Sequence, residues 1–238
     1  MVNIDTVYQR VLAFANKEQR GYITPQEFNL FANQAQQEIF EQYFYDLNQA
    51  SRIPGNDTVY ADIDDMLENK MQIFENTDDA AHGTSPLSYT DGITSGSKIL
   101  PTYIYRVNRI EYNNVDVEIV SAADFKDAYS GGPLTKPSSN RPIANIRKNV
   151  LRCFPVITPT RIMYFKKPIN VQWGYVVINE KALYDPNSQK TTDFELHPSE
   201  ETELVYKILK FAGVAMQRAD IMRAGQGMDM SQIQQEKQ

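Results

Sequence analysis

Oxygen-bearing side chains between residues 16 and 27 are spaced like the ligands of a calcium-binding EF-hand loop. In such a loop, positions one, three, five and twelve supply ligands, and here they hold Asn16, Glu18, Arg20 and Glu27. Gly21 stands at the sixth position, where the loop turns. Arg20 would place a cation beside the metal, and Asn16 is a weak substitute for the usual Asp. The ligand chemistry therefore argues against calcium binding.

The same stretch fits the beginning of a helix. Thr24 can cap it, Pro25 suits the first helical position, and Glu27 stands three residues after the cap. This spacing is a capping box, in which each side chain satisfies a backbone N–H of the other residue. Gly21 supplies the turn before it. We therefore expect two helices joined by a short turn and packed antiparallel.

Two short sequences resemble the surroundings of serine-protease catalytic residues. His82 follows two alanines, and Ser130 precedes Gly-Gly-Pro. The usual Gly-Asp before the serine is absent, and the two residues are too close in sequence for the barrel that normally separates them. A catalytic triad is defined by its geometry rather than by a short sequence match. We expect two polar loops here and no enzyme.

Acidic residues cluster near position 60, where hard cations would find carboxylates. Asp62, Asp64 and Asp65, with Asp57 nearby, also stand where a helix begins. Carboxylates favour the positive end of a helix dipole, which explains the cluster without a metal. His197 precedes Pro198 with no second histidine nearby, so we interpret it as a boundary residue. No metal or cofactor is expected.

Composition narrows the class of protein. The chain has 238 residues with a net charge of −6, which argues against a protein that neutralises many phosphates. The single Cys153 leaves no intrachain disulfide and no multi-cysteine zinc site. No apolar run approaches the ~18 residues of a membrane span. We expect a soluble protein made in a reducing cytoplasm.

The distribution of patterns predicts an α+β fold in four zones. Residues 1–78 read as the first part of a helical body, with an N-terminal helical hairpin and a third helix. Residues 79–192 read as a central antiparallel β-rich insertion with long loops. Residues 193–224 predict a C-terminal helix that completes the helical body, and 225–238 a flexible docking tail rich in Gln, Met and Gly.

Local signals place individual elements. The third helix is expected near residues 62–74, and a short helix over 121–129 with Ser121 as its cap. Asn113-Asn114 and Lys148-Asn149 read as two-residue hairpin turns. Strands are predicted at 103–110, 115–120, 143–147, 150–154, 161–165 and 174–179, paired antiparallel because few crossover helices separate them.

Aromatic and methionine side chains suggest contact with other proteins. Four aromatics crowd the end of the second helix, which indicates either a broad core face or a subunit contact. Half of the methionines lie near the C-terminus, where a flexible end can dock in another protein's groove or simply fray. The candidate interface residues are Phe40, Tyr43, Phe44, Tyr45, Met222, Met228 and Met230.

Four segments, taken in order, resemble the head-to-tail connector proteins of short-tailed bacteriophages. These adaptors are also called ring proteins or tail tubular protein A, and the resemblance is closest to those of crAss-like and other Bacteroidetes-type phages. It covers nearly the whole chain. The segments are residues 21–44 (GYITPQEFNLFANQAQQEIFEQYF), 100–107 (LPTYIYRV), 164–168 (YFKKP) with Trp173, and 193–201 (DFELHPSEE) with 204–209 (LVYKIL).

The resemblance implies a structural role in the virion. Such adaptors form a homo-oligomeric ring, commonly a dodecamer, at the head–tail interface beneath the portal. They contribute to the channel for double-stranded DNA during genome ejection, without binding it specifically, and form a docking platform for further tail or ring proteins. Their C-terminal segment often docks on the portal, and the family has no catalytic residues to carry over.

These inferences predict a non-enzymatic virion protein, assembled in the host bacterial cytoplasm and without a membrane partner. Net negative charge suits a tunnel that must not hold DNA. The loops at 79–96 and 130–142 exceed what a minimal adaptor needs, so they are candidates for contacts with other tail proteins. The alternatives are a tail- or fibre-associated module from another position in the virion and, behind it, the protease and calcium interpretations.

Overall fold

A computed structural model shows that the chain is an α+β protein, as the sequence predicts. It divides into two compact units. Unit 1 comprises Met1–Ile73 and Pro168–Gln238, and unit 2 comprises Phe74–Lys167. The structure describes residues 1–16, 23–50, 58–79, 90–91, 97–132, 136–157, 159–187, 189–215, 223 and 226–231.

The helices and strands alternate unevenly along the chain. The helices are α1 (Ile4–Asn16), α2 (Pro25–Ala50), α3 (Thr58–Met71), α4 (Ala122–Ser130) and α5 (Glu201–Ala215). The strands are β1 (Glu75–Asp79), β2 (Thr90–Asp91), β3 (Ser97–Ile99), β4 (Ile104–Tyr112), β5 (Val115–Asp116), β6 (Glu118–Ile119), β7 (Ile143–Arg147), β8 (Val150–Phe154), β9 (Arg161–Lys166), β10 (Tyr175–Ile178) and β11 (Lys181–Tyr184).

The predicted helix caps are present. Thr24 N donates to Glu27 Oε2 at 3.0 Å, and Glu27 N donates to Thr24 Oγ1 at 3.3 Å, which confirms the capping box of α2. Ser121 caps α4, since its Oγ accepts from Asp124 N. Both caps satisfy N–H groups that lack partners in the first helical turn.

In unit 1, α5 packs against both α1 and α2, and α2 also packs against α3. The expected direct packing of α1 on α2 is replaced largely by their shared contact with α5. Among the described residues, α1 and α2 meet at Tyr8 and Phe28, whose ring centroids lie 4.6 Å apart. The reason is that α5 is apolar on two adjacent sides, through the buried residues Leu204, Val205, Ile208, Leu209 and Ala212.

Unit 2 contains a four-stranded sheet in the order β1-β9-β4-β5 and a five-stranded sheet in the order β2-β3-β8-β7-β6. Side chains of both sheets form one core, which includes Ile110, Leu151, Cys153, Ile162 and Tyr164. The pairings are antiparallel, as expected, except that β6 and β7 are parallel. A parallel pair needs a crossover connection, and α4 provides it.

Both predicted β-hairpin turns are confirmed. Asn113-Asn114 and Lys148-Asn149 have positive φ at both positions, as a type I′ turn requires. A third turn of this kind, Asn179-Glu180, joins β10 to β11 and was not expected. Asn-Glu is a weaker sequence signal than Asn-Gly, because only Gly adopts positive φ without steric cost.

The unit boundaries differ from the predicted zones. Unit 2 begins at Phe74 and ends at Lys167, so residues 168–192 belong with the helices. Strand β1 lies where the helical zone was expected to continue. Its sequence, ENTDD, lacks the alternation of apolar residues that indicates a strand. It forms because β9 offers it a full edge, from the pair Glu75–Phe165 to the pair Asp79–Arg161.

Candidate assembly surface

Side-chain amides on one face of α2 bind the backbone of the segment that returns from unit 2. Asn33 Nδ2 donates to Val171 O at 2.9 Å, and Asn33 Oδ1 accepts from Val171 N at 2.8 Å. Asn29 makes the same pair with Trp173, at 3.4 and 2.8 Å. Four helical residues rise about 6 Å and two strand residues about 6.6 Å, so the two spacings match. We call this arrangement, with Gln36 below, the amide ladder.

Gln36 completes the amide ladder at the far end. It stands three residues after Asn33, and its extra methylene group lengthens its reach. Gln36 Nε2 donates to Ile169 O at 2.8 Å, and Gln36 Oε1 accepts from Glu195 N at 3.2 Å. Glu195 Oε2 in turn accepts from Ile169 N at 3.0 Å. Gln36 and Glu195 are both buried, so these bonds satisfy polar groups that water does not reach.

Trp173, at the end of the amide ladder, is the centre of an aromatic platform. It is buried, its Nε1 donates to Asp5 Oδ1 at 3.0 Å, and its ring lies 4.3 Å from that of Tyr8. The rings of Tyr175 and Tyr184, at the base of β10 and β11, each stack on it at 5.9 Å. The platform therefore fixes the base of the β10–β11 hairpin to the helices of unit 1.

Gly174 allows the chain to turn from the platform into the hairpin. A Cβ at this position would lie 2.5 Å from Thr191 Oγ1 and 2.6 Å from Lys190 O. The backbone of Gly174 also pairs with the far side of the hairpin, because Asp185 N donates to Gly174 O at 2.9 Å. A side chain has no room here, so the close approach depends on glycine.

The hairpin itself exposes aliphatic side chains on both faces. Its register pairs Val176 with Leu183 and Val177 with Ala182, which places these pairs on opposite faces. Val177 is 62% exposed, and the other three large aliphatic residues are between 40% and 52% exposed. We call these four the hairpin surface: Val176, Val177, Ile178 and Leu183.

Such a hairpin is poorly suited to remain in water. A two-stranded hairpin alone is at best marginally stable, and clustered exposed aliphatic side chains mark interaction sites more often than scattered ones do. Among the described residues β10 pairs only with β11, so both outer strand edges are also open. The hairpin surface is therefore the best candidate for contact with another protein.

The aromatic residues predicted as an interface are mostly core residues. Phe40, Tyr43 and Phe44 are buried, and only Tyr45 is well exposed, at 59%. The first three therefore belong to the interior of the chain rather than to its surface. The reason is that α2 packs against both α5 and α3, so its buried face is wider than a single stripe.

The methionines near the C-terminus have different positions. Met228 and Met230 are 40% and 66% exposed, whereas Met222 lies outside the described residues. Residues 226–231 are helical, in contrast to the flexible tail that the sequence suggested for 225–238. Asp229 explains the difference, since it is buried between Lys207 and Lys210 at 3.5 and 3.8 Å.

Asp229 belongs to a buried charge network around α5. Lys207 Nζ lies 3.3 Å from Glu203 Oε1, and Lys70 Nζ lies 2.7 Å from Glu200 Oε1. Burial raises the pKa of Glu203 to about 7, although Lys207 acts in the opposite direction. Burial lowers the pKa of Lys207, but the carboxylates of Glu203 and Asp229 more than offset this and leave it raised. Lys207 therefore stays charged and holds the C-terminal segment.

The residues weighed as catalytic or metal-binding are not brought together in the described part of the chain. Ser130 is exposed at the end of α4, and His82 lies outside the described residues. The calcium-loop positions from 17 to 22 and Asp57 also lie outside them. Asp62, Asp64 and Asp65 belong to α3, which begins at Thr58 and has no acidic residue in its first turn, so the helix-dipole explanation of this cluster is wrong. Among the described side chains, no group of three acidic, His or Cys residues could hold a metal ion.

Two further reactive residue types have structural positions. His197 is confirmed as a boundary residue, because it caps the 3-10 turn Pro198–Glu200 and its Nδ1 accepts from Ser199 N. Cys153 lies in the core of unit 2, where burial raises its pKa to about 11. Its thiol stays protonated near neutral pH and is not a nucleophile.

No helix in the described ranges combines the length and the hydropathy that a membrane crossing requires. No family model matches the sequence, and no curated protein matches it.

Proposed function

We propose that the chain is a structural subunit of a phage virion, which assembles into a ring between the portal and the tail. Its work is to bind copies of itself, the portal and further tail proteins, and to line part of the channel through which DNA passes. The observation that carries the proposal is the hairpin surface: four exposed aliphatic residues held on a rigid aromatic platform. A subunit of an assembly needs such a preformed contact.

The amide ladder supports the same proposal. Three of the segments that resemble phage adaptors supply its parts: residues 21–44 contain Asn29, Asn33 and Gln36, a second contains Trp173, and a third contains Glu195. These residues are far apart in sequence and meet in one hydrogen-bonded arrangement. Three of the segments that carry the resemblance thus contribute to one structural arrangement, which supports the proposal.

The proposal is tested in two steps. Mass spectrometry of purified particles should detect the chain as a virion component, and negative-stain images of the isolated protein should reveal rings. Particles that lack the chain, together with a protein that stays strictly monomeric, would contradict the proposal. Trimers without portal contact would instead favour the fibre-associated alternative.

A pair of variants connects the ring to the hairpin. Val177→Asp with Ile178→Asp should abolish assembly, because it places charges where apolar contact is expected. Both positions are exposed, so the isolated subunit should still fold, which circular dichroism can check. Val156→Asp is the matched control, since Val156 is 67% exposed in unit 2. Equal assembly by both variants would remove the hairpin from the proposed contact.

A further inference from the structure

The charges of the chain are divided unequally between its two units. Unit 2 contains twelve Lys and Arg and nine Asp and Glu, a net charge of +3, whereas unit 1 contains twelve and twenty-one, a net charge of −9. The net charge of −6 for the whole chain hides this opposition. Opposite charges on two parts of one molecule favour contact between unlike parts of neighbouring copies.

Three exposed basic residues of unit 2 lie close together without ion-pair partners among the described residues. Arg147, Lys148 and Arg152 are exposed, and none forms an ion pair with a described residue. In contrast, Arg109 lies 2.7 Å from Asp116, and Arg161 lies 3.3 Å from Glu111. The three unpaired cations lie at the β7–β8 turn and on the strand leaving it.

Aliphatic side chains accompany these cations. The register of the five-stranded sheet aligns Ile99, Val150 and Arg147 on one face, with Arg152 diagonal to Arg147. Ile99 is 40% exposed and Val150 is half-buried. We call this patch the basic sheet end: Ile99, Arg147, Lys148, Val150 and Arg152. It combines positive charge with apolar surface, as protein contacts commonly do.

A surface of opposite character lies on α3 in unit 1. Asp65, Met66 and Glu68 are exposed, and Met66 is 61% exposed. The other side of this helix faces the interior, where Met71 is buried and Lys70 pairs with Glu200. Asp65 and Glu68 are three residues apart and therefore adjacent on the helix surface. Met66 lies about 100° around the helix from Asp65, on the side away from Glu68. We call the exposed arc formed by these three residues the acidic α3 face.

We propose that the basic sheet end of one copy binds the acidic α3 face of a second copy. The two patches match in charge and each contains an exposed aliphatic or thioether side chain. They are different patches, so the contact is heterologous, and each copy can bind one neighbour with each patch. The inference rests on the proposed ring, because a heterologous contact that closes produces a ring. The hairpin surface is a separate contact.

A nucleic acid is the other anionic ligand for a basic patch, and the structure favours it less. The basic sheet end offers Ile99 and Val150, which a phosphate backbone does not need. The nearest ring on the same face, that of Phe154, is half-buried and already has Lys136 Nζ 5.9 Å from its centroid, so it is a poor platform for a stacked base. The chain as a whole carries a charge of −6, which repels DNA at a distance.

Charge exchange between the two patches tests the contact. Arg147→Glu with Arg152→Glu should weaken self-association of the full chain by about tenfold or more, and so should Asp65→Lys with Glu68→Lys. Combining all four substitutions should restore association, because attraction returns with the signs exchanged. Arg106→Glu with Lys167→Glu is the matched control, with the same change of charge at exposed positions of unit 2 outside the five-stranded sheet. Sedimentation at low and high salt provides the measurement, and association should weaken with salt.

The outcomes separate this contact from the proposed function. If the wild type forms a ring and the variant Arg147→Glu with Arg152→Glu forms the same ring, the proposed contact is overturned and the proposed ring is not. Duplex DNA bound by the wild type and lost in that variant, with association unaffected, would assign the patch to nucleic acid instead. A wild type that never associates overturns the contact as well, and the presence of the chain in particles then decides the proposed function.

Discussion

At the scale of single residues, the amide ladder shows how side chains can replace a missing strand. Asn29 and Asn33 each present a donor and an acceptor to the C=O and N–H of a single residue, as a neighbouring strand would. The returning segment is thereby held without a sheet on that side. Removing one amide should destabilise the fold, because it leaves backbone N–H and C=O groups without hydrogen-bond partners.

Replacing Asn33 should therefore destabilise the protein measurably. Asn33→Leu removes both bonds to Val171 and leaves its N–H and C=O unpaired, at a cost of about 2–3 kcal/mol. Gln34→Leu, at the neighbouring exposed position, should change the free energy of unfolding by less than about 0.5 kcal/mol. Guanidinium denaturation of both variants provides the comparison. Equal stabilities would mean that water replaces the amide of Asn33.

Gly174 gives a second prediction at this scale. Gly174→Ala places a methyl group against Thr191 and the backbone of Lys190, and should cost about 1–3 kcal/mol. Gly132→Ala is the control, since nothing lies within 4 Å of a Cβ there. Thermal unfolding should separate the two variants, and an unchanged melting temperature for Gly174→Ala would show that the turn relaxes easily.

Sequence reasoning at the residue scale found the caps and missed the ladder. Thr24 with Glu27 and Ser121 with Asp124 are local pairs, so their spacing alone predicts them. Asn33 and Gln36 lie among polar residues of a helix, a pattern typical of a solvated face. Their partners lie more than 130 residues away and are backbone groups, so no side-chain pattern indicates the contact.

At the scale of elements, α5 organises unit 1 through an apolar surface and a buried charge network. Its carboxylate Glu203 lies among groups from several elements: Lys207 and Glu200 beside it, Asp229 from the C-terminal segment, and Gln42 of α2, 3.5 Å from Lys207. Removing a carboxylate from water favours its neutral form, so the network is sensitive to protonation.

The free energy of unfolding should consequently fall as the pH rises between about 4.5 and 7. The pKa of Glu203 is raised from 4.5 to about 7 by burial, so the unfolded chain loses this proton first. The stability contributed by the neutral form is complete below 4.5 and is lost as the pH rises through the folded pKa. Each unit of difference between the folded and unfolded pKa values of Glu203 is equivalent to about 1.4 kcal/mol in the free energy of unfolding.

Denaturation of the wild type and of Glu203→Gln, which cannot ionise, measures this contribution. The difference in the free energy of unfolding between the wild type and Glu203→Gln should change between about pH 4.5 and 7. The variant Glu68→Gln, at an exposed position of α3, should show the same pH dependence as the wild type. Parallel profiles for the wild type and Glu203→Gln would contradict the assignment.

The elements themselves were predicted unevenly. The hairpins at Asn113-Asn114 and Lys148-Asn149 followed from their turn residues, and α2 followed from its cap and apolar spacing. The structure of β1 depends on the edge of β9, which its own residues do not indicate. The hairpin surface was missed because exposed and buried strands both consist of Val, Ile and Leu, and only the structure distinguishes them.

At the scale of the whole molecule, unit 2 is inserted into unit 1. Its ends are adjacent, since Lys166 N donates to Phe74 O at 2.9 Å and Glu75 pairs with Phe165. It has a core of its own. A unit with neighbouring ends and a separate core can be removed without opening a gap in the host chain.

Unit 1 should therefore fold without unit 2. A chain in which residues 74–167 are replaced by a short Gly-Ser linker, about four residues long, should retain the helices and the amide ladder. Circular dichroism and the fluorescence of Trp173, the one tryptophan, report on both, because its ring is buried in unit 1. An unfolded product with an exposed tryptophan would contradict the independence of unit 1, and residues 74–167 produced alone provide the complementary measurement.

The matched spacing of the amide ladder also limits how this part of the chain can change in length. One residue inserted between Asn29 and Asn33 would rotate the following amides by about 100° around the helix and move them off the returning segment. One residue deleted between Val171 and Trp173 would turn alternate peptide groups away. Substitutions at Ile169 other than proline leave the pairing intact, because this residue offers only its backbone and has an exposed side chain. Insertions and deletions, rather than substitutions, are thus the changes that this join tolerates least.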